Sequence, residues 1–218
     1  MGNFSRFLKD TYHAGIPDED TKSFHQTKAE PWEKQVLVFI SPASGKGQAQ
    51  KRYEEVEPAL LAAGYYPKVI LTTSKDHARE VIQKMPSTEF KQYYQFITCG
   101  GDGMVNELIN GFFSREDEGF GHFKLNLRTG QLSGGSTCAA LSYGCKNWGL
   151  DVKNHINALY VLTRSRFSSM TCAKYESESE QNPVVYGFHS FAYGWSSDNV
   201  KKSESYRYAG ESRYKMAA

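Results

Sequence analysis

Apolar positions along the chain fall into two textures that alternate: short unbroken runs, and longer stretches spaced three and four apart. Val36 to Ile40 is an unbroken run that ends at Ser41-Pro42, which predicts a strand buried on both faces. Tyr53, Val56, Leu60 and Leu61 then trace a helical stripe, with a kink or break expected at Pro58. A second strand is predicted over Lys68–Thr73, followed by a helix opened by Ser74 with Ala78, Val81, Ile82 and Met85 on one face. Gln95–Cys99 is the third strand, and Met104, Val105, Leu108, Ile109 and Phe112 mark the helix behind it. After a charged, glycine-containing excursion from Ser114 to Lys124, a weaker strand near Leu125–Leu132 leads to a helix carrying Ala139, Ala140, Leu141 and Tyr143. Strands alternating with helices of this length call for a parallel sheet with right-handed crossovers and ligands at the strands' carboxyl ends. Beyond Asn154 the runs Ala158–Leu162, Phe167–Tyr175 and Val184–Tyr193 are β-prone and predict a change to antiparallel sheet, and Lys201–Ala218 reads as helix or loop.

Composition narrows the partners. In 218 residues, 26 Lys and Arg stand against 24 Asp and Glu, a net charge of +2, too small for a field that attracts nucleic acid. Cys99, Cys138, Cys145 and Cys172 form no CxxC pair and follow no secretory segment, so reduced thiols in a cytoplasmic protein are expected. The longest apolar runs are strand-sized, too short to span a bilayer. Met1-Gly2 is not a myristoylation signal, because Arg6 stands where that signal needs Ser or Thr. Phe4, Phe7, Leu8 and Tyr12 recur at helical spacing beside Arg6 and Lys9, a pattern that suits either a membrane surface or a tail docked on the domain. The polar, acidic stretch from His13 to Pro31 reads as linker, so residues 1–31 are expected to be a flexible N-terminal segment.

Three glycine-rich turns close three of the predicted strands: Ser41-Pro42-Ala43-Ser44-Gly45-Lys46-Gly47, Gly100-Gly101-Asp102-Gly103 and Ser133-Gly134-Gly135-Ser136-Thr137. Glycine lets main-chain N–H groups approach an anion, and a following helix N-terminus favours negative charge. None has Walker A or GxGxxG spacing. Each alone could be turn chemistry; together, with Lys46, they make a set of donors for a polyphosphate. Asp102 sits among those donors, where it can cap a helix or serve as a general base. Asn106 and Glu107 occupy a dipole-favoured helix face, and Arg207 and Arg213 are surface residues unless the tail folds back on the sheet. The six histidines have no metal-ligand spacing, and no metal site is assigned to protein residues.

From Trp32 to about Ala217 these motifs, in this order, resemble the sphingosine kinase and ceramide kinase branch of the diacylglycerol-kinase-like lipid kinases. The resemblance implies an α/β, three-layer parallel-sheet nucleotide-binding domain of the diacylglycerol kinase and NAD kinase type over residues 32–157. Residues 158–218 would begin a truncated β-sandwich that binds lipid. It implies ATP with Mg2+ held by Ser41, Pro42, Ser44, Gly45, Lys46, Gly47, Thr72, Gly100, Gly101, Gly103, Glu107, Gly135, Ser136, Thr137, Arg207 and Arg213. Asp102 would take the proton from the lipid's primary hydroxyl. The implied partners are a sphingoid lipid and, transiently, a membrane surface, with cytoplasmic, peripherally membrane-associated localisation and no nucleic acid. Ser133, Cys138 and Gln131 depart from the family pattern around the third loop. Val200 stands where sphingosine kinases carry an acid for the substrate's ammonium, which favours ceramide unless Asp198 serves instead. A catalytically silent nucleotide-binding fragment and a kinase of the NAD kinase type are the alternative readings.

Overall fold

Four parallel strands form the sheet: β1 (Lys34–Ile40), β2 (Tyr65–Leu71), β3 (Gln95–Gly100) and β4 (Thr129–Ser133), in the order β2-β1-β3-β4. The computed structural model describes residues 34–115, 127–134, 138–147, 149–152, 154–164, 167, 169–178, 184–190 and 192–218. Between the strands run α1 (Ala49–Ala62), α2 (His77–Lys84), the single turn α3 (Ser87–Phe90) and α4 (Asp102–Phe113); after the sheet come α5 (Ala139–Asn147) and α6 (His155–Thr163). Val38 pairs with both Val69 and Ile97, which fixes β1 at the centre.

Alternation along the central strands divides the core in two. Val36, Val38 and Ile40 point to one face, where they meet Tyr53, Val56 and Leu60 of α1, Leu141 of α5 and Leu159 of α6. Leu37 and Phe39 point to the other, against Ala78 and Ile82 of α2 and Met104, Leu108 and Phe112 of α4. Helices therefore cover both faces, giving the three layers expected. Phe96 anchors the second layer, its ring centroid 4.8 Å from Phe90 and 5.1 Å from Phe112.

Several boundaries differ from the sequence reading, each for a local reason. Ala158–Leu162 is helical, inside α6, because Ile156, Ala158, Leu159, Tyr160 and Leu162 are buried on most of the helix circumference and leave no polar stripe to reveal the period. Its start was signalled by Asn154, whose side chain accepts from Ile156 N–H at 2.9 Å. α1 runs unbroken through Pro58, and both Pro58 and Glu54, the carbonyl deprived of its donor, are exposed to water. Leu61 of the same helix is 45% exposed rather than in the core. Ser74 caps nothing: α2 starts after Asp76, which adopts a left-handed φ of 65°. β2 begins earlier than expected, at Tyr65, and β4 is shorter. Of the β-prone C-terminal runs, the described part is a small antiparallel hairpin, β5 (Ala173–Tyr175) and β6 (Val185–Gly187). Helical structure follows it: α7 (Trp195–Ser203), a 3-10 segment (Glu204–Ser212) and α8 (Arg213–Ala217).

Two outcomes follow from the packing. Ala in place of a helical Gly ordinarily gains about 1 kcal/mol, but a Cβ at Gly111 would lie 2.9 Å from Arg79 O and from Ile82 Cβ. Gly111→Ala should therefore lose about 1–3 kcal/mol in urea unfolding; a gain would show that α2 and α4 are not in contact there. The thiols divide as well: burial pushes Cys99 up to about 12 and Cys145 up to about 11, Cys138 is buried, and Cys172 is partly exposed. At pH 8 a thiol reagent should modify Cys172 of the folded chain and spare the others until denaturant is added.

Candidate active site

Strand order places the carboxyl ends of β1, β3 and β4 side by side, so the three glycine loops must meet. Ser41 N–H donates to Cys99 O at 3.2 Å, carrying the β1–β3 ladder into the first loop. That loop coils on itself through Ser44 N–H to Ser41 O (2.9 Å) and Gly47 N–H to Ser44 O (3.1 Å). Gly45, Lys46 and Gly47 all take left-handed φ, 60°, 60° and 78°. At Lys46 this costs about 1–2 kcal/mol that a glycine would not spend. The turn leaves the N–H groups of Gly45 and Lys46 without a protein acceptor among the described residues, the arrangement of a main-chain anion site.

The loops touch backbone to backbone. A Cβ on Gly45 would lie 2.6 Å from Gly134 O, and one on Gly134 would lie 2.7 Å from Gly100 N. Gly100 in turn faces Ser44 Oγ and the Met104 side chain. A side chain at either of the first two positions would push the loops apart. Ser41, Pro42, Ser44, Gly45, Lys46, Gly47, Gly100, Gly101 and Gly103 are thus gathered at one sheet edge, with the α4 N-terminus opening at Gly101.

Asp102 is the first residue of α4 and half-buried. It does not cap its own helix. Its Oδ1 accepts from Ala139 N–H at 2.7 Å, holding the first turn of α5 across the site, and from Gln131 Nε2 at 3.4 Å. Oδ2 has no hydrogen-bond partner among the described residues. Gln131 is the residue whose role the sequence did not reveal. At 5% exposure it donates to Gly100 O (3.4 Å) and accepts from Leu141 N–H (3.2 Å), so one buried amide ties β3, Asp102 and α5 together. The signal was present: a polar side chain inside an apolar strand must be paired. Cys138, at the start of α5, sits with Sγ 3.8 Å from Gly100 O.

Glu107, five residues along α4, reaches the start of α2. Its Oε2 accepts from Ala78 N–H at 3.3 Å, and burial raises its pKa although the Asp76 and Ala78 main-chain donors oppose the rise. It thereby pins the start of α2 and the loop after β2. Thr72 opens that loop, with its N–H donating to Ile40 O at 2.8 Å, so it borders the carboxyl end of β1. Thr73 N–H donates to His77 Nδ1 at 3.1 Å and stiffens the same loop.

The tail residues are arranged differently. Arg213 donates to Glu204 Oε1 (2.8 Å) and to Tyr214 Oη (2.6 Å), both within the tail. Asp198 lies exposed on the first turn of α7, and Val200 nearby is 49% exposed. Gly135, Ser136, Thr137 and the Arg207 side chain lie outside the described residues. No group of three or more His, Cys, Asp and Glu that could hold a metal ion occurs among the described residues, and none of their helices is long and apolar enough to cross a membrane.

Comparison with known proteins gives this arrangement a family. Residues 35–174 match the diacylglycerol kinase catalytic domain. Ceramide kinase 1 of Caenorhabditis elegans is 27% identical over 85% of this chain and 34% of its own length. Sphingoid long chain base kinase 4 of Schizosaccharomyces pombe is 32% identical over 81% of this chain and 36% of its own, and sphingosine kinase 1 of Mus musculus 31% over 82% and 46%. The chain spans less than half the length of these relatives. With its sheet-edge glycine loops, its Gly-Gly-Asp-Gly turn and a family match over most of the described sheet, the chain belongs to the diacylglycerol kinase catalytic domain family, in the branch of the sphingosine and ceramide kinases.

Proposed function

We propose that this chain carries the nucleotide half of an ATP-dependent lipid kinase that phosphorylates the primary hydroxyl of a sphingoid long-chain base. The observation that supports it most is the convergence of Gly45, Gly134 and Gly100 around unpaired main-chain N–H groups, with one free carboxylate oxygen beside them. The first loop and the α4 N-terminus supply donors for the phosphates, which gain negative charge on the transferring group's oxygens as transfer proceeds. Lys46 adds a mobile positive charge. Thr72 and Glu107 shape the neighbouring wall, the one through the β1 edge and the other by fixing the loop after β2. Gly135, Ser136 and Thr137 would complete the third loop.

Asp102 divides its carboxylate between two tasks. Oδ1 is occupied by Ala139 and Gln131, which orient the group; Oδ2 is available to accept the lipid hydroxyl proton as its oxygen attacks the γ-phosphorus and the bond to the β,γ-bridging oxygen breaks, releasing ADP. Magnesium brought by ATP fits this donor set, since it is commonly held by phosphates, waters and only one or two carboxylates; bound there it would neutralise phosphate charge. Arg207 and Arg213 are proposed to reach the phosphates, which requires Arg213 to leave Glu204. Residues 158–218 are proposed to begin the lipid-binding domain, with Asp198 at the acceptor's polar end and a membrane surface as the source of lipid. Ceramide is the alternative acceptor, favoured by Val200, which offers nothing to an ammonium.

A second reading, a nucleotide-binding fragment without catalysis, draws on Arg213 being spent on Glu204 and on the relatives' greater length. Labelled ATP with sphingosine or ceramide in mixed micelles separates the two: labelled lipid rejects the silent fragment, and its identity names the acceptor. Asp102→Asn keeps an oxygen for Ala139 N–H but loses the base, so turnover should fall by about 10²–10⁴ with ATP affinity little changed. Full turnover would remove Asp102 from the reaction. Gly134→Ala should instead weaken ATP binding by at least about tenfold, because its Cβ meets only main chain, Gly100 N at 2.7 Å and Cys99 C at 2.9 Å. Wild-type ATP affinity in that variant would show that the loops need not touch.

A further inference from the structure

A single buried side chain joins the helix that carries Asp102 to the C-terminal hairpin. Asn110 of α4 is 9% exposed. Its Nδ2 donates to Tyr186 O at 2.8 Å and its Oδ1 accepts from Tyr186 N–H at 2.9 Å. Both main-chain groups of Tyr186 therefore face α4, and the Asn110 amide stands where a neighbouring strand would stand on the open edge of β6. The same Nδ2 also donates to Asn106 O at 2.8 Å, which holds the side chain upright on its helix. One turn further, the Phe113 ring stacks on the Tyr186 ring with centroids 4.2 Å apart and planes 17° from parallel.

Among the described residues the hairpin's own pairing is short. Its two strands have three residues each, and Ala173, Lys174 and Val185 are exposed. A hairpin this short does not hold itself in water, and its main contact outside itself is α4. Asn supplies what the junction needs: a donor and an acceptor on one planar group, matching the two groups of a strand residue. Asp and Leu are close to Asn in size, but Asp offers no donor and Leu offers neither.

We infer that Asn110 is a positioning residue that sets the C-terminal segment in register with Asp102, so that the lipid hydroxyl arrives at Oδ2. This rests on the kinase reading above. Asp102 and Asn110 lie eight residues apart on one rigid helix, about 12 Å along its axis. A shift of the hairpin by even one ångström would move whatever follows it relative to the base, and misplacement on that scale can cost about 100-fold in rate. The loops that bind nucleotide make no use of Asn110. Its effect is confined to the acceptor.

The test compares the full chain with Asn110→Ala and the near-isosteric Asn110→Asp, assayed with labelled ATP and micellar sphingosine or ceramide. The expected result is a 10- to 100-fold loss in kcat/KM for lipid in both variants, with ATP affinity and the KM for ATP unchanged. In Asn110→Ala hydrogen exchange should show the Tyr186 amide losing protection while the α4 amides keep theirs; in Asn110→Asp a carboxylate oxygen still accepts from Tyr186 N–H, so only the bond to Tyr186 O is lost. Wild-type lipid kinetics in both variants, with the Tyr186 amide exposed in Asn110→Ala, would overturn the inference and leave the kinase reading standing. So would a loss in which ATP affinity and thermal midpoint fall together, since that is damage to the domain rather than misplacement of the acceptor. An unsubstituted chain that phosphorylates neither lipid removes the kinase reading itself, and the inference with it.

Discussion

The contact on which the site depends is between main chains, at Gly45, Gly134 and Gly100. Side chains elsewhere in the core trade volume with their neighbours, but at Gly45 and Gly134 there is none to trade: the Gly134 carbonyl and the Cys99–Gly100 peptide occupy the space where their Cβ atoms would be, while a Cβ on Gly100 would meet the Met104 and Ser44 side chains. The sheet order makes this unavoidable, because β1, β3 and β4 are adjacent and parallel, so their carboxyl ends open onto the same edge. Glycine is what lets the loops close on one another, and the left-handed turn at Gly45, Lys46 and Gly47 leaves the Gly45 and Lys46 N–H groups without an acceptor among the described residues.

Around this contact, polar side chains work as ties between elements. Gln131 and Asp102 join β3, β4 and α5 at one side; Glu107 joins α4 to α2 at the other. Each pairs a buried or half-buried acceptor with a main-chain donor, so the cost of taking the group from water is offset by the bond it makes. The consequence for chemistry is that Asp102 is held by one oxygen and open at the other. A carboxylate oriented this way needs no reorganisation to receive a proton, which is where preorganised groups gain over water.

Much of the parallel domain was legible in the sequence because its signals were local. Val36–Ile40 is a continuous apolar run, and strands buried on both faces have no other pattern to show; Gln95–Cys99 carries Phe96, Ile97 and Cys99, with Gln95 and Thr98 buried among them. The Gly-Gly-Asp-Gly turn announced itself by composition. What could not be read was of two kinds. Ala158–Leu162 is apolar in every position, so strand and helix shared one signature, and burial on most of the helix circumference decided for helix. Gln131 and Asn110 owe their roles to partners 29 and 76 residues away, and no window along the chain contains both ends of such a bond. Gln131 could be seen to break a pattern; that it completes a network is a property of the folded sheet.

The tail is where local order and the kinase reading pull apart. Arg213 pairs with Glu204 and stacks over Tyr214, its guanidinium carbon 4.7 Å from the ring centroid, and its Nε is buried without a hydrogen-bond partner among the described residues. A partly exposed ion pair is worth at most about 1 kcal/mol net, so on the proposed reading the Glu204 pairing sets only a small barrier to Arg213 meeting a phosphate, whose oxygens accept the same charge-assisted bonds as a carboxylate. The hairpin held by Asn110 brings part of the C-terminal segment against α4, and a shorter loop costs less entropy to close, so on that reading the approach of the arginines starts from an anchor on the helix that begins with Asp102.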